Sequence, residues 1–366
     1  MATTHAEHKT YVIIFALTIS FTVGIFLTAA LYIQPLEGEL TRLGSYAERD
    51  FGWNIPQRKL RGDAHMAAEY ERETDVLIIG DSFSTNGVWQ PFFGHETGLS
   101  YTTLNIRKTS IQALIESEQF RQFPPKVMIV ESVERELISF FKDMHFECNG
   151  RARCVDRIAL QKCAGSPRVL YYEETRKTFD LTNINLRYAA LVMGSSLMRC
   201  FSKIDSGDTR RFTLTNDTLF SNRRSGEILV YEGDMEKLSW RKEDLSRAAC
   251  AIRGLQEKVQ SSGKTLFIFM VVPDKSTAYA DYISDPLFRK RENTCQLLAD
   301  NGINVPRVDL LLKAAIDRGE KDIYIPSGTH WSARGYALAA TGIAAAVGDH
   351  IVMPPKTPVG MRVSER

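Results

Sequence analysis

The chain has 366 residues, 44% hydrophobic and 25% charged, which is ordinary globular composition and long enough for one large domain or a domain carrying an insertion. Its formal net charge is only +2 and its Lys and Arg residues are scattered, so nothing in the charge argues for a nucleic-acid partner. No repeat at a fixed period and no low-complexity tract interrupts it.

A polar tail, residues 1–10, precedes a run without a formal charge, Tyr11 to Ile33. As a helix this run spans about 35 Å at ~1.5 Å per residue, enough for the hydrocarbon core of a bilayer. The rival reading is a cleaved signal peptide with Thr28-Ala29-Ala30 as its small-residue site, but the run is long for a signal-peptide core. The expectation is a single-pass inner-membrane anchor with a cytoplasmic tail and the large domain in the periplasm. Residues 34–73 then read as a polar connector.

The first buried strand is expected at Asp75–Gly80, a continuous apolar run with β-branched residues ending in Gly-Asp-Ser. A short helix over 88–96, a strand over 101–106, a helix over 110–120 and a strand over 126–130 follow. Strands alternating with helices predict a parallel sheet with right-handed crossovers. From 142 to 239 the rhythm breaks, and this stretch is read as an insertion that holds Cys148, Cys154, Cys163 and Cys200. The rhythm returns with a helix over 240–261, a strand over 265–272, a helix over 286–301, a short extended run entering a helix from Val305, a short last strand at Ile323–Ile325, and an Ala-rich helix over 332–347 capped by Ser332. Residues 351–366 read as a tail. The expected fold is therefore an α/β/α flavodoxin-like domain over 74–350.

Two motifs meet in this frame. A strand that stops at Gly80-Asp81-Ser82 leaves Ser82 at the carboxyl edge of a parallel sheet, where open α/β folds bind ligands. A serine hydroxyl is a weak nucleophile until a base takes its proton. His330, in Thr329-His330-Trp331, opens the last helix and is the candidate base. Ser84 is the alternative nucleophile.

These residues carry a resemblance. Ile78-Ile79-Gly80-Asp81-Ser82-Phe83-Ser84, Val130-Glu131-Ser132-Val133-Glu134-Arg135, Val272-Pro273-Asp274-Lys275-Ser276-Thr277-Ala278-Tyr279 and Thr329-His330-Trp331 resemble the corresponding segments of SGNH-type serine hydrolases. More closely, they resemble those of the membrane-anchored polysaccharide O-acetyltransferases of the alginate O-acetyltransferase family. The resemblance implies an SGNH hydrolase fold, Ser82 as nucleophile and His330 as base. It implies oxyanion or substrate-positioning roles for Asp81, Glu134, Arg135 and Lys275, a polysaccharide as acceptor, and a multi-span membrane acyltransferase as acetyl donor. No cofactor and no metal enter that chemistry.

The departures are specific. The family places an aspartate two or three residues before its histidine, where this chain has Gly328 and Ser327. The order of the serine and histidine motifs is also reversed relative to the alginate enzymes. Asp322 is the first substitute for the missing acid and Asp274 the next; a backbone carbonyl or Ser327 are the other ways to orient the imidazole. The same chemistry with water as acceptor would make a carbohydrate esterase. Without any orienter the chain would be a non-catalytic polysaccharide-binding or assembly protein. The even number of cysteines beyond the apolar run suits an oxidising compartment, with a disulfide expected among Cys148, Cys154 and Cys163.

Overall fold

A computed structural model describes residues 2–61, 66–71, 73–144, 158–159, 170–175, 180–202, 207–289 and 293–352. In chain order the elements that matter below are α1 (Ala2–Tyr32), β1 (Val76–Gly80), α2 (Ser82–Thr85), α3 (Trp89–Thr97), β2 (Tyr101–Asn105), β3 (Val127–Val133), α4 (Leu186–Ser202), α5 (Lys242–Gln260), β4 (Leu266–Val272), α6 (Val308–Asp317) and α7 (Ala333–Gly348). They fall into two compact units. One holds Met1–Ile55, Thr175–Glu232 and Ile325–Thr329; the other holds Pro56–Glu174, Gly233–Tyr324 and His330–Arg366.

The second unit is built on a four-stranded sheet in the order β2-β1-β3-β4, with every neighbouring pair parallel. Strands β1, β3 and β4 are buried at every position, which is why Val76–Ile79, Val127–Val130 and Leu266–Val272 read as unbroken apolar runs rather than alternating ones. Leu77, Ile79, Met128, Val130, Phe267 and Phe269 point to one face and join Leu245, Ile252 and Leu255 of α5 in a single apolar cluster. The alternate residues Val76, Ile78, Val127, Ile129, Leu266 and Ile268 are equally buried. Helix α6 packs on β4, and α7 packs on both α6 and α3. The order places the first strand of the sheet beside the third, and that crevice is the switch point at which such folds bind ligands.

The fifth strand expected at Ile323–Ile325 does not form. Asp322 adopts a left-handed φ of 53°, Pro326 follows at once, and only an isolated antiparallel bridge joins Tyr324 to Trp331. A non-glycine residue at positive φ turns the chain and denies the run the extended backbone a ladder needs. The helix expected over 286–301 is likewise shorter, with a single tight turn at Pro286–Arg289 and a helix at Thr294–Asp300 started by the Asn293 side chain.

The first unit contains α1, α4, and an antiparallel pair, Thr209–Thr213 with Glu227–Tyr231. Its core is Leu40, Tyr46, Phe51 and Leu229. Residues 34–55, expected as connector, thus supply part of a core, while Gln57–Arg61 pairs antiparallel with Leu170–Glu174 in the second unit. Glu48 organises the first unit from within: its carboxylate accepts from Gly38 N–H at 3.1 Å, from the Thr41 hydroxyl and from Ser327 Oγ at 2.7 Å. Cys148, Cys154 and Cys163, with the disulfide expected among them, lie outside the described residues. Cys200 is an exposed free thiol and Cys295 a buried one.

Candidate active site

Ser82 stands where β1 ends and α2 begins. The turn is forced by its neighbours. Asp81 takes the N-cap position, its Oδ1 accepting from Phe83 N–H at 2.9 Å, and its Oδ2 accepts from Val133 N–H at 2.7 Å. One carboxylate therefore starts the helix and ties it to the end of β3. Asp81, expected among the oxyanion or positioning residues, fixes the serine turn through these bonds. Gly80 is required by crowding: a Cβ there would run into Glu131 Oε2 and Ser84 Oγ.

His330 reaches the same edge from the far end of the chain. Its Nε2 lies 2.9 Å from Ser82 Oγ, within the range in which a base can take a hydroxyl proton. The imidazole packs on Phe83, with centroids 4.6 Å apart, and Phe83 meets Trp331 edge-on at 5.0 Å. Trp331 is buried against Tyr324 and Tyr336, so it braces the histidine loop. Ser332 caps α7 by accepting from Gly335 N–H and Ser332 N–H donates to Ile323 O at 3.0 Å; together these set where the loop ends.

Beneath the serine turn lies a carboxyl to which the sequence motifs assign no role. Glu131, on β3, is fully buried. Its Oε2 accepts from Asp81 N–H at 3.0 Å and from Ser84 Oγ at 2.7 Å. Ser84 Oγ in turn accepts from Trp89 Nε1 at 3.3 Å. Ser84 is thus engaged as a strut under the turn. Burial, and then the neighbouring Asp81 charge, push the Glu131 pKa well above the usual carboxylate range. The available signal was a lone acid inside an apolar strand, which demands a partner but does not say which.

Glu134 and Arg135, just past β3, enter a buried ionic cluster with two residues from the stretch read as insertion. Arg135 meets Asp274 at 2.6 Å and Asp234 at 3.3 Å. Lys237 meets Glu134 at 2.7 Å and Asp274 at 2.6 Å. Glu134 also accepts from Thr277 Oγ1 at 2.6 Å and Thr294 Oγ1 at 2.8 Å. Burial opposes ionisation of Asp274, but the charges of Lys237 and Arg135 hold its pKa below the ordinary value. Burial, and then the Asp274 charge, push Asp234 up to about 8. Burial lowers Arg135 while Asp274, Asp234 and Asp81 more than offset it, so its cation acts on the residue before Ser82. Asp234 and Lys237 carry no motif that would have marked them.

Lys275 is buried at the start of the turn after β4, and burial pushes its pKa down to about 7 against the pull of Asp234 and Asp322. Asp322 is buried and acts electrostatically on Lys275 and on Tyr279. Both oxygens of Asp274 are taken up by Arg135 and Lys237, and Ser327 Oγ donates to Glu48. Asp274 and Ser327, two of the other expected orienters, are thus engaged away from His330. Among the described residues, no group of three or more His, Cys, Asp or Glu side chains is placed to hold a metal ion.

A parallel sheet, a serine at the carboxyl edge of its first strand and a histidine 2.9 Å from that serine make an SGNH-like arrangement. Residues 229–360 match the family model of the SGNH hydrolase-like domain of the acetyltransferase AlgX. That AlgX-like stretch includes β4, Lys275, Asp322 and His330, while Ser82 lies before it. It agrees with the resemblance to the alginate O-acetyltransferase family seen in the motifs, and it supports an acetyltransferase or hydrolase-like activity. No curated protein and no solved structure matches the chain.

Proposed function

We propose that the protein is a membrane-anchored O-acetyltransferase that moves acetyl groups onto a secreted or cell-wall polysaccharide through a Ser82 acetyl-enzyme. The observation that carries the reading is the 2.9 Å contact between His330 Nε2 and Ser82 Oγ. The AlgX-like match at residues 229–360 supports acetyl transfer as the reaction class. One N-terminal helix, His8–Tyr32, is long and apolar enough to span a bilayer, and this supports the anchor.

In the first half-reaction His330 Nε2 takes the Ser82 proton as Oγ attacks the carbonyl carbon of the donor's acetyl ester. The tetrahedral oxyanion is stabilised by the Ser82 backbone N–H, which sits in the first turn of α2, where no carbonyl of that helix can accept it. The intermediate collapses, the donor alcohol leaves with the proton now on His330, and acetyl remains on Oγ. In the second half-reaction a sugar hydroxyl gives its proton to His330 and attacks the acetyl carbon, and Ser82 leaves with that proton. Asp322 is the proposed orienter of the imidazole, and Arg135 and Lys275 are the proposed positioning charges at the same sheet edge. On this reading the domain faces the periplasm, outside the reach of cytoplasmic acyl-CoA, and the proposed acetyl donor is a multi-span membrane acyltransferase.

The test uses the full chain with 4-nitrophenyl acetate as surrogate donor and an oligosaccharide as acceptor. Expected are an acetyl adduct on Ser82 by peptide mass spectrometry, acetylated sugar, and neither product from Ser82→Ala. Release of acetate unchanged by added sugar would replace the transferase with an esterase. Turnover retained in Ser82→Ala would end the serine mechanism.

A further inference from the structure

Helix α4 shows an apolar face that stands exposed among the described residues. At 3.6 residues per turn, Leu186, Met193, Leu197 and Phe201 fall on one side, widened by Leu191 and Met198. All six are exposed, Leu197 and Met198 at 62% and Phe201 at 84%. The opposite side is the packed one: Tyr188, Ala189 and Val192 are buried, and Tyr188 donates its hydroxyl proton to Tyr46 O at 2.6 Å. Arg199 turns away from the apolar side, donating to Gly44 O and Ser45 O and lying 4.2 Å over the Tyr46 ring. A face of this kind, about 25 Å long at ~1.5 Å per residue, is costly in water at roughly 25 cal/mol per Å² of apolar area.

What covers it follows from its neighbour. Helix α4 packs against α1, whose apolar window is 0% buried along its length. The two are also pinned end to end: Gln34, just past α1, donates to Asp180 O at 3.1 Å and accepts from Asp180 N–H at 3.3 Å. The chain that leads into α4 therefore starts where the anchor ends. We infer that α4 lies in the boundary between lipid headgroups and acyl chains beside α1, with its Leu186–Met193–Leu197–Phe201 face inserted into the bilayer. This rests on the reading of α1 as an anchor. Of the two charges on the helix, Arg199 is folded back onto the packed side and Arg187 is exposed in the first turn.

The experiment reconstitutes the full chain into vesicles of phosphatidylcholine and phosphatidylglycerol. A fluorescent amino acid is placed singly at Leu197, at Phe201, at Ile19 in α1, or at Ser262, an exposed residue of the other unit. Lipids with brominated acyl chains serve as quenchers. Quenching at 197 and 201 approaching that at 19, with none at 262, is the expected result. Quenching at 19 but not at 197 or 201 overturns the inference and leaves the anchor standing. No quenching at any position overturns the anchor and this inference with it. Positions 197 and 201 that are unquenched by lipid yet shielded from aqueous iodide would mean a polypeptide cover, such as a second copy of the chain, and would also overturn it.

Discussion

Glu131 is the residue on which the serine turn rests, and its two bonds make separate claims. Glu131→Gln keeps an acceptor for Asp81 N–H and Ser84 Oγ, so it should leave kcat for acetyl release within a few-fold of the parent. Glu131→Ala strands two buried donors at roughly 1–3 kcal/mol each, and it should lower both kcat and the unfolding midpoint. Equal loss of kcat in the two variants would show that the carboxyl acts by its proton and not by its position. The pH dependence separates them again. The folded pKa of Glu131 is raised, so its contribution to stability is fully present below the ordinary glutamate value and is lost as pH rises through the folded value. Glu131→Gln should abolish that loss, a difference read from thermal midpoints of the two proteins across the pH range. Asp322→Asn makes the third claim. If Asp322 orients the imidazole, acetyl transfer should fall by orders of magnitude, on the scale of the ~10⁴-fold known for loss of a triad carboxylate, with little change in melting. Normal transfer by Asp322→Asn alongside a dead Ser82→Ala would clear Asp322 and assign the task to a backbone carbonyl.

At the scale of elements, the carboxyl ends of β1, β3 and β4 converge, and each contributes a differently built end. The end of β1 is a capped turn and the end of β3 supplies Glu134 and Arg135. The end of β4 supplies Asp274, which binds Arg135 and Lys237 at 2.6 Å each. Removing one partner from such a buried cluster leaves uncompensated charge, so Asp274→Asn should destabilise by about 3–5 kcal/mol in urea unfolding. A loss below ~1 kcal/mol would mean that water reaches the cluster. The strands were legible because a strand buried on both faces is mostly apolar, and Val76–Ile79, Val127–Val130 and Leu266–Val272 state this residue by residue. The meeting of Ser82 and His330 was legible because Ser82 follows a buried strand at the carboxyl edge of the sheet and His330 lies on the loop before the helix capped by Ser332. The cluster was not legible, since Asp234 and Lys237 occupy a stretch whose local pattern is that of any polar loop. Nor was the failure at Ile323–Ile325, because β-branched and aromatic residues promise a strand while the left-handed Asp322 before them is a matter of tertiary fit.

For the molecule as a whole, Lys275 sets a pH window. Its pKa is pushed down to about 7 in the fold from an ordinary 10.5. Between those values the unfolded chain carries the extra proton, so this residue's contribution makes stability rise with pH across the window, by roughly 1.4 kcal/mol per pH unit. Below about pH 7 the penalty is in full force. Lys275→Met should flatten that rise relative to the parent; identical slopes in the two proteins would show that Lys275 stays charged in the fold. Finally, Ser82 and His330, the proposed nucleophile and base, stand 248 residues apart in sequence. At the usual 5–20 residues per second of synthesis, Ser82 is added to the chain roughly 12–50 s before His330. Through that interval the serine has no partner to deprotonate it. If Ser82 is the nucleophile, the nascent chain carries a chemically mute hydroxyl until the last tenth of the polypeptide has been made and folded back. On the proposed mechanism, a partly made chain would be unable to attack the esters it meets.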